Sequence, residues 1–181
     1  MHRSRRLLPV LIALSLLLTG ASCGEQRDSD ALELPKAEKV DIPAAPDLRT
    51  PESAVRSYLD WVSYAYATAV SDSASLTADS YEMVRVDSYI QLNREQSQCL
   101  YQRLESLETS LVSVSASDAV VTARETWRYR YFSIVDNSWI GPVHRTSYEA
   151  TYTLVPPPAG SPSPGPWIVF EVRADPLDEV F

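Results

Sequence analysis

The stretch Ala-Val-Val-Thr-Ala-Arg-Glu-Thr-Trp-Arg-Tyr-Arg-Tyr-Phe, residues 119–132, decides the fold. Its side chains alternate with a period of two and are rich in β-branched and aromatic types, which predicts a long strand. One face of this strand is apolar, and we expect that face to be buried. Its members are Ala119, Val121, Ala123, Trp127, Tyr129 and Tyr131.

Further strands are predicted on either side of this one. Residues 111–114 lead into a turn signal and so form a hairpin with the central strand. After a loop at 136–142, residues 143–155 alternate again, and residues 167–174 form the last strand. Residues 156–166 between them are predicted to be a loop, because their repeated prolines remove ladder donors. The strands therefore form an antiparallel meander.

The chain before the sheet has a helical period. Thr50-Pro51-Glu52 is a strong helix start, because Thr caps unpaired N–H groups, Pro suits the first position and Glu favours the positive helix end. An apolar repeat that continues to Tyr66 predicts a first helix ending near Ala69. A second helical stretch over most of 78–104 is predicted, because apolar residues keep the helical period through Leu104.

Residues 1–22 predict an export signal. Arginines precede an apolar run over 7–18, which is shorter than the roughly 20 residues that a membrane-spanning helix needs. Small residues then precede Cys23, and this context resembles the lipobox of bacterial lipoproteins, in which the Cys is acylated and becomes the N-terminus. Gly20 departs from the aliphatic residue usual at that position, and ordinary cleavage is the alternative.

The lipobox resemblance implies a location as well as a modification. A protein acylated at Cys23, with palmitate among its chains, is held on the extracytoplasmic face of the cell membrane or the outer membrane. Residues 23–50 are acidic, contain prolines and lack an apolar period, so they are predicted to be a disordered linker. The folded domain is then predicted to cover 51–181.

Charge and composition exclude several classes of function. The formal net charge is −8, and it becomes −11 without the signal, because 16 Lys and Arg fall to 13 against 24 Asp and Glu. Such a chain is a poor partner for nucleic acid, which binds clustered cations. The 5 glycines are too scattered for a phosphate loop, and 2 His with 2 Cys are too few for zinc, so we expect no cofactor and no metal.

Helices followed by a meander of long strands resemble the cone-shaped α+β superfamily of nuclear transport factor two and the SnoaL-like proteins. The resemblance covers roughly Pro51 to Ala174, and it lies in the order of elements, the helix opening and the Trp167 strand. It implies N-terminal helices packed into a strongly curved antiparallel sheet, a cystatin-like cone. The domain is also similar to the intermembrane-space domain of plastid division proteins. This fold hosts enzymes and scaffolds alike, so it supplies no active site.

Glu125 is the acid most relevant to function. Strict alternation places it on the apolar face beside Trp127, where an unpaired carboxylate is costly to bury. In a pocket, a desolvated Glu125 with Tyr148 or Tyr152 as partner would serve as a general acid or base. The alternative is a structural role, at the sheet rim, at a bulge or in a hydrogen-bonded pair.

Other residues are candidates for contact with a ligand or partner. His144 shares strand parity with Tyr148, which would place it at the mouth of such a pocket, but its position at the strand start beside Gly141-Pro142 favours an exposed loop-end residue. Trp139 is expected in an exposed loop. Trp127 and Tyr129 are expected to line the pocket or the core. Three arginines share the opposite face of the central strand, which is either solvated or a patch for an acidic or self-complementary partner; they are Arg124, Arg128 and Arg130.

Together these patterns favour a lipid-anchored envelope protein whose domain is a non-catalytic module that binds a small apolar ligand or a protein. One alternative is a small SnoaL-like isomerase or dehydratase that uses a pocket Glu. The other is an accessory subunit of an envelope transport or division complex, docked through its sheet. That sheet is also the expected surface for a homodimer.

Overall fold

The protein has an α+β fold in which two helices pack against a four-stranded antiparallel sheet. A computed structural model describes residues 40–179, so the predicted signal peptide and Cys23 lie outside the described residues. The strands follow one another across the sheet in chain order, as predicted. The elements are α1 (Pro51–Thr68), a 3-10 turn (Ser71–Ala74), α2 (Ser80–Glu95), β1 (Gln98–Val114), β2 (Ala119–Ser133), β3 (Ser138–Val155) and β4 (Ile168–Glu179).

The first helix begins and ends where the sequence predicts. The Thr50 side chain accepts from the backbone N–H of Ser53, and the Ser53 hydroxyl accepts from the N–H of Thr50, each at 3.1 Å. This capping box satisfies two donors that a helix start leaves unpaired. Ala69 ends the helix in the left-handed conformation, with φ of 55°. Tyr58 and Val62 on this helix face the main core.

The second helix is shorter than predicted. It ends at Glu95, and residues from Gln98 onward form β1. A register shift between Leu104 and Ser106 explains the error. Glu105 is an extra residue in β1 at this point, so Leu104 and Leu107 face the same side of the sheet although they are three residues apart, as they would be on a helix. A bulged strand and a helix therefore produce the same apolar spacing here.

The central strand β2 spans Ala119–Ser133, in agreement with the predicted strand over 119–132. Its alternate residues, including Val121 and Ala123, are buried against the helices. The register with β3 places Glu125 opposite Tyr148 and Trp127 opposite Thr146. These pairs therefore lie on the face of the sheet that meets the helices.

Both later strands are longer than predicted. β3 begins at Ser138 and includes Gly141, which has φ of +63° at an irregularity where residues 141–143 face Arg130 alone. The predicted loop at 136–142 is therefore mostly strand. β4 continues to Glu179 through Pro176. Because β4 is an edge strand, the missing N–H of that proline need not break the sheet.

Residues 40–49, which we call the N-terminal strap, pack on the domain. The indole N–H of Trp61 donates to the Ala44 carbonyl at 3.2 Å, and the backbone N–H of Asp47 donates to the Ser57 hydroxyl at 2.8 Å. Leu48 is only 1% exposed and belongs to the main core. The prediction of a disordered linker is wrong for this segment, because one well-placed apolar residue fills a core site without any periodic pattern.

Candidate functional site

A cavity of about 350 Å³ lies between the helices and the inner face of the sheet. Its size is within the range of small-molecule sites. Leu59 and Val62 of α1 contribute apolar surface, and Trp127 of β2 contributes an indole. Seven of the protein's 10 tyrosines line it; they are Tyr58, Tyr66, Tyr89, Tyr129, Tyr131, Tyr148 and Tyr152.

Glu125 lines this cavity, as its position in the strand predicts. It is 4% exposed, and both of its carboxylate oxygens accept hydrogen bonds. The Tyr152 hydroxyl donates a short bond to one oxygen, and the Trp127 indole N–H donates to the other at 2.8 Å. Burial raises the pKa of Glu125 above its ordinary value, and these two hydrogen bonds partly offset the rise.

The partners of Glu125 are neutral. Within residues 40–179, Glu125 takes part in none of the ion pairs. A carboxylate usually becomes buried only when a cation accompanies it. Glu125 is therefore an acid at the cavity wall whose charge, when it ionises, has no cationic partner among the side chains of residues 40–179.

A second buried carboxylate, Glu82, escaped the sequence analysis. It is 2% exposed on α2 and accepts a short bond from the Tyr58 hydroxyl. Arg85 completes the group by pairing with Glu82, and its guanidinium also donates to the Tyr58 hydroxyl at 2.7 Å. The available signal was position, because Glu82 lies four residues before Val86 on the buried stripe of the helix.

The charge of Arg85 is thus compensated by Glu82. Burial of the Arg85 guanidinium lowers its pKa, but the hydrogen bond with Glu82 outweighs burial and raises the pKa of Arg85 above the ordinary arginine value. Arg85 lines the cavity, but as one half of an ion pair. An edge-on contact of the Tyr58 and Tyr152 rings, with centroids 6.1 Å apart, joins this group to Glu125.

Three more predicted residues lie on or near the cavity wall. Tyr129 and Tyr148 line the cavity, and Tyr148 is half-buried on β3. His144 is exposed and stacks on the Tyr129 ring, with centroids 5.2 Å apart. Sequence reasoning missed Thr146, whose side chain is buried and whose hydroxyl has no hydrogen-bond partner within the described chain. Thr146 is among the residues that line the cavity, although its hydroxyl itself is buried.

Trp139 does not lie in an exposed loop. It is part of β3 and packs edge-on against Tyr101 and Phe132, with ring centroids 5.0 and 5.1 Å apart. These rings belong to a second apolar cluster, which also contains Cys99. Trp139 therefore belongs to this second cluster and is not among the residues that line the cavity. The strand register explains this placement, because Trp139 pairs with Phe132 on the outer side of the sheet.

The three arginines of β2 lie on the outer face of the sheet, and each has a different environment. Arg128 pairs with Glu105, which also pairs with Arg145 at 2.7 Å. Arg130 lies over the Trp139 ring, 5.4 Å from its centroid. Arg124 stands in register with the acids of both neighbouring strands. The structure thus separates these arginines from Glu125, and Arg124 and Arg128 have acidic neighbours.

Three further observations concern the described part of the chain. Residues 40–179 contain no group of three metal-ligating side chains. Cys99 is a free, buried thiol whose pKa is raised by burial, so it is a weak nucleophile. None of the helices in this region is long and apolar enough to cross a membrane.

Comparison with known proteins shows similarity at the level of structure. No protein-family model matches the sequence, and no curated protein matches it significantly. A periplasmic fragment of TraM matches 69% of this chain and 97% of its own. That match has 11% identity and a TM-score of 0.46, which is too low to show a shared fold. The crystal structure of the intermembrane space region of chloroplast protein ARC6 matches 71% of this chain and 95% of its own. That match has 18% identity and a TM-score of 0.57, so it shows a similar fold.

Proposed function

We propose that the protein is a non-catalytic module of the cell envelope that binds a small ligand in the tyrosine-lined cavity. The observation that carries the proposal is the cavity itself, about 350 Å³ in volume and lined by seven tyrosines and Trp127. A space of this size with aromatic walls and a few polar groups is typical of small-molecule sites. A ligand that enters the cavity covers this aromatic surface.

The envelope location rests on the sequence and on the similar structure. The lipobox context of Cys23 favours a lipid anchor, with signal peptide 1–22 removed and residues from 23 joining the anchor to the domain. The ARC6 region with the similar fold is an intermembrane-space domain. An extracytoplasmic module held at a membrane surface is consistent with both.

The isomerase or dehydratase alternative has weaker support. General acid–base catalysis needs a partner group that releases or takes up a proton near neutral pH, and the two hydrogen-bond partners of Glu125 are the Tyr152 hydroxyl and the Trp127 indole N–H. His144 is exposed and stacks on Tyr129, with which the strand register pairs it. The buried tyrosines are poor proton donors to a base, because burial raises the pKa of Tyr152 well above its ordinary value.

Docking of an accessory subunit or a second copy through the sheet also has weaker support. That alternative depends on the arginine face of β2, but Arg128 is already paired with Glu105. Arg130 packs on Trp139. The outer face therefore offers fewer free cations than the sequence suggests.

A blocked-cavity variant tests the proposed function. Ala174 is an exposed residue at the cavity edge on β4, and Ala174→Trp fills the entrance. Arg173→Trp is the matched control, since it adds the same side chain one residue earlier, on the opposite side of the strand. We expect ligand-observed NMR with a panel of neutral, cationic and anionic compounds to find binders of the wild type and the control that Ala174→Trp does not bind. Equal binding by all three proteins would refute a cavity site.

A further inference from the structure

We infer that the ligand of this cavity is an organic cation, an ammonium group with alkyl substituents. The inference rests on the proposed function and specifies its ligand class. Three features of the described residues support it. They are the Glu125 carboxyl group, which has no cationic partner, the aromatic wall of the cavity, and Arg85, whose charge is compensated by Glu82.

The carboxylate is the first feature. Glu125 is 4% exposed and faces the cavity, yet its two partners, Tyr152 and Trp127, are neutral donors. A carboxylate has about four lone-pair positions, and these two bonds use only two of them. A cation in the cavity supplies the opposite charge that favours the ionised form of Glu125, and it can use the lone-pair positions that Tyr152 and Trp127 leave open.

The aromatic wall is the second feature. Seven tyrosines and Trp127 surround the space. The faces of aromatic rings attract cations, most strongly Trp and then Tyr, and quaternary ammonium ligands are commonly recognised in this way. Neutral apolar ligands gain from the same rings by burial alone, so the rings and the carboxylate together favour a cation over a neutral molecule of equal shape.

The ion pair of Arg85 is the third feature, because it argues against an anion. Among residues 40–179, Arg85 is the one arginine at the cavity wall, and its guanidinium is held by Glu82 and the Tyr58 hydroxyl. An anionic ligand would have to compete with Glu82 for that guanidinium. It would also meet Glu125 across the same space, where low dielectric strengthens the repulsion.

A pair of probes that differ only in charge tests the inference. Choline and 3,3-dimethylbutan-1-ol have the same shape, because a carbon replaces the ammonium nitrogen in the alcohol. We expect the wild-type protein to bind choline at least about tenfold more tightly than the alcohol, measured by titration calorimetry and by tryptophan fluorescence. Benzoate serves as the anionic probe and is expected to bind most weakly.

Two variants locate the charge that matters. Glu125→Gln is expected to weaken choline binding about tenfold or more while changing affinity for the alcohol less than twofold. Glu149→Gln removes the same charge from an exposed position on the outer face of β3, and it is expected to bind both probes as the wild type does. Circular dichroism melts check folding, and the wild-type ratio of choline to alcohol decides the matter even if Glu125→Gln does not fold.

The outcomes separate this inference from the proposed function. If the wild type binds the alcohol or benzoate as tightly as choline or more tightly, the inference of a cationic ligand is wrong. The proposal of a ligand-binding cavity is not affected by that result. Absence of choline binding also overturns the inference of a cationic ligand. The proposed function itself fails only if no compound of the wider panel is lost on Ala174→Trp.

Discussion

At the scale of the residue, the ionisation of Glu125 links its burial to the pH dependence of stability. Burial raises its folded pKa above the ordinary value of 4.5, so the folded state keeps the proton over a pH range in which the unfolded chain has lost it. The resulting stabilisation is complete below the unfolded pKa and is lost as the pH rises through the folded pKa. Acidification towards the unfolded pKa therefore stabilises the fold through this group.

The first prediction isolates that effect with Glu125→Gln, which cannot ionise. The free energy of unfolding of the wild type minus that of the variant is expected to fall as the pH rises from 4.5 to 8. Every other titrating group is common to both proteins and largely cancels. Urea unfolding across this range measures the difference. A difference that grows with pH would show that the fold favours the ionised carboxylate.

The second prediction concerns the Tyr152 hydroxyl, whose hydrogen bond lowers the pKa of Glu125. Tyr152→Phe removes that bond, so the pKa of Glu125 is expected to rise further. The loss of a bond to a carboxylate is expected to cost about 2 kcal/mol of stability. Carboxyl-resolved NMR titration measures the pKa and urea unfolding measures the cost. Tyr148→Phe, on a half-buried tyrosine of the same strand, is the control.

At the scale of the element, α1 shows how closely local signals can define a boundary. Thr50, Pro51 and Ser53 form the helix start by interactions within four residues, and the structure begins the helix at Pro51. Signals of this kind need no tertiary information.

The third prediction tests this cap. Thr50→Ala removes both capping bonds of the Thr50 side chain and is expected to lower the free energy of unfolding by about 1 kcal/mol. Ser88→Ala, on the surface of α2, is expected to leave stability unchanged or slightly raised, because alanine favours helix interiors. Thermal and urea unfolding compare the two. A cost for Ser88→Ala equal to that for Thr50→Ala would refute a specific capping role.

The boundary between α2 and β1 shows where local signals fail. The positions of Leu100, Leu104 and Leu107 fit a helix, yet the chain there is a strand with a bulge. Pairing with β2 determines the outcome, and pairing partners are far away in sequence. The same reason explains why β3 and β4 extend beyond their predicted ends, since a neighbouring strand supports residues that are poor strand formers alone.

At the scale of the whole molecule, the α+β order, the central strand and the position of Glu125 on the apolar face of that strand could be predicted from periodicity. Glu82, Thr146 and the strap could not. Glu82 and Arg85 lie on α2 and meet Tyr58 of α1 only after the helices pack. The strap has no period, and its place depends on contacts with Ser57 and Trp61.

The fourth prediction concerns the strap. Leu48 is buried in the main core, and Gly165 of the proline-rich loop leaves no room for a Cβ, which would lie 2.5 Å from the Leu48 Cβ. Leu48→Ala is expected to cost about 2–5 kcal/mol of stability through the cavity it leaves. Ile42→Ala, in the same strap but 71% exposed, is expected to cost little. Equal unfolding midpoints in urea for both variants would show that the strap does not stabilise the domain.

The direction of the strap determines how the domain resists force. The strap runs antiparallel to α1, with Val40 at the cluster that contains Ala67, Ala44 beside Trp61 and Asp47 beside Ser57. A pull applied at residue 40, as a membrane attachment upstream would apply it, peels these contacts apart one after another. The force then acts on one contact at a time. The strap is therefore expected to detach from α1 at low force, which lengthens the segment between the point of attachment and the domain. The sheet and its cavity stay intact until the pull reaches Leu48.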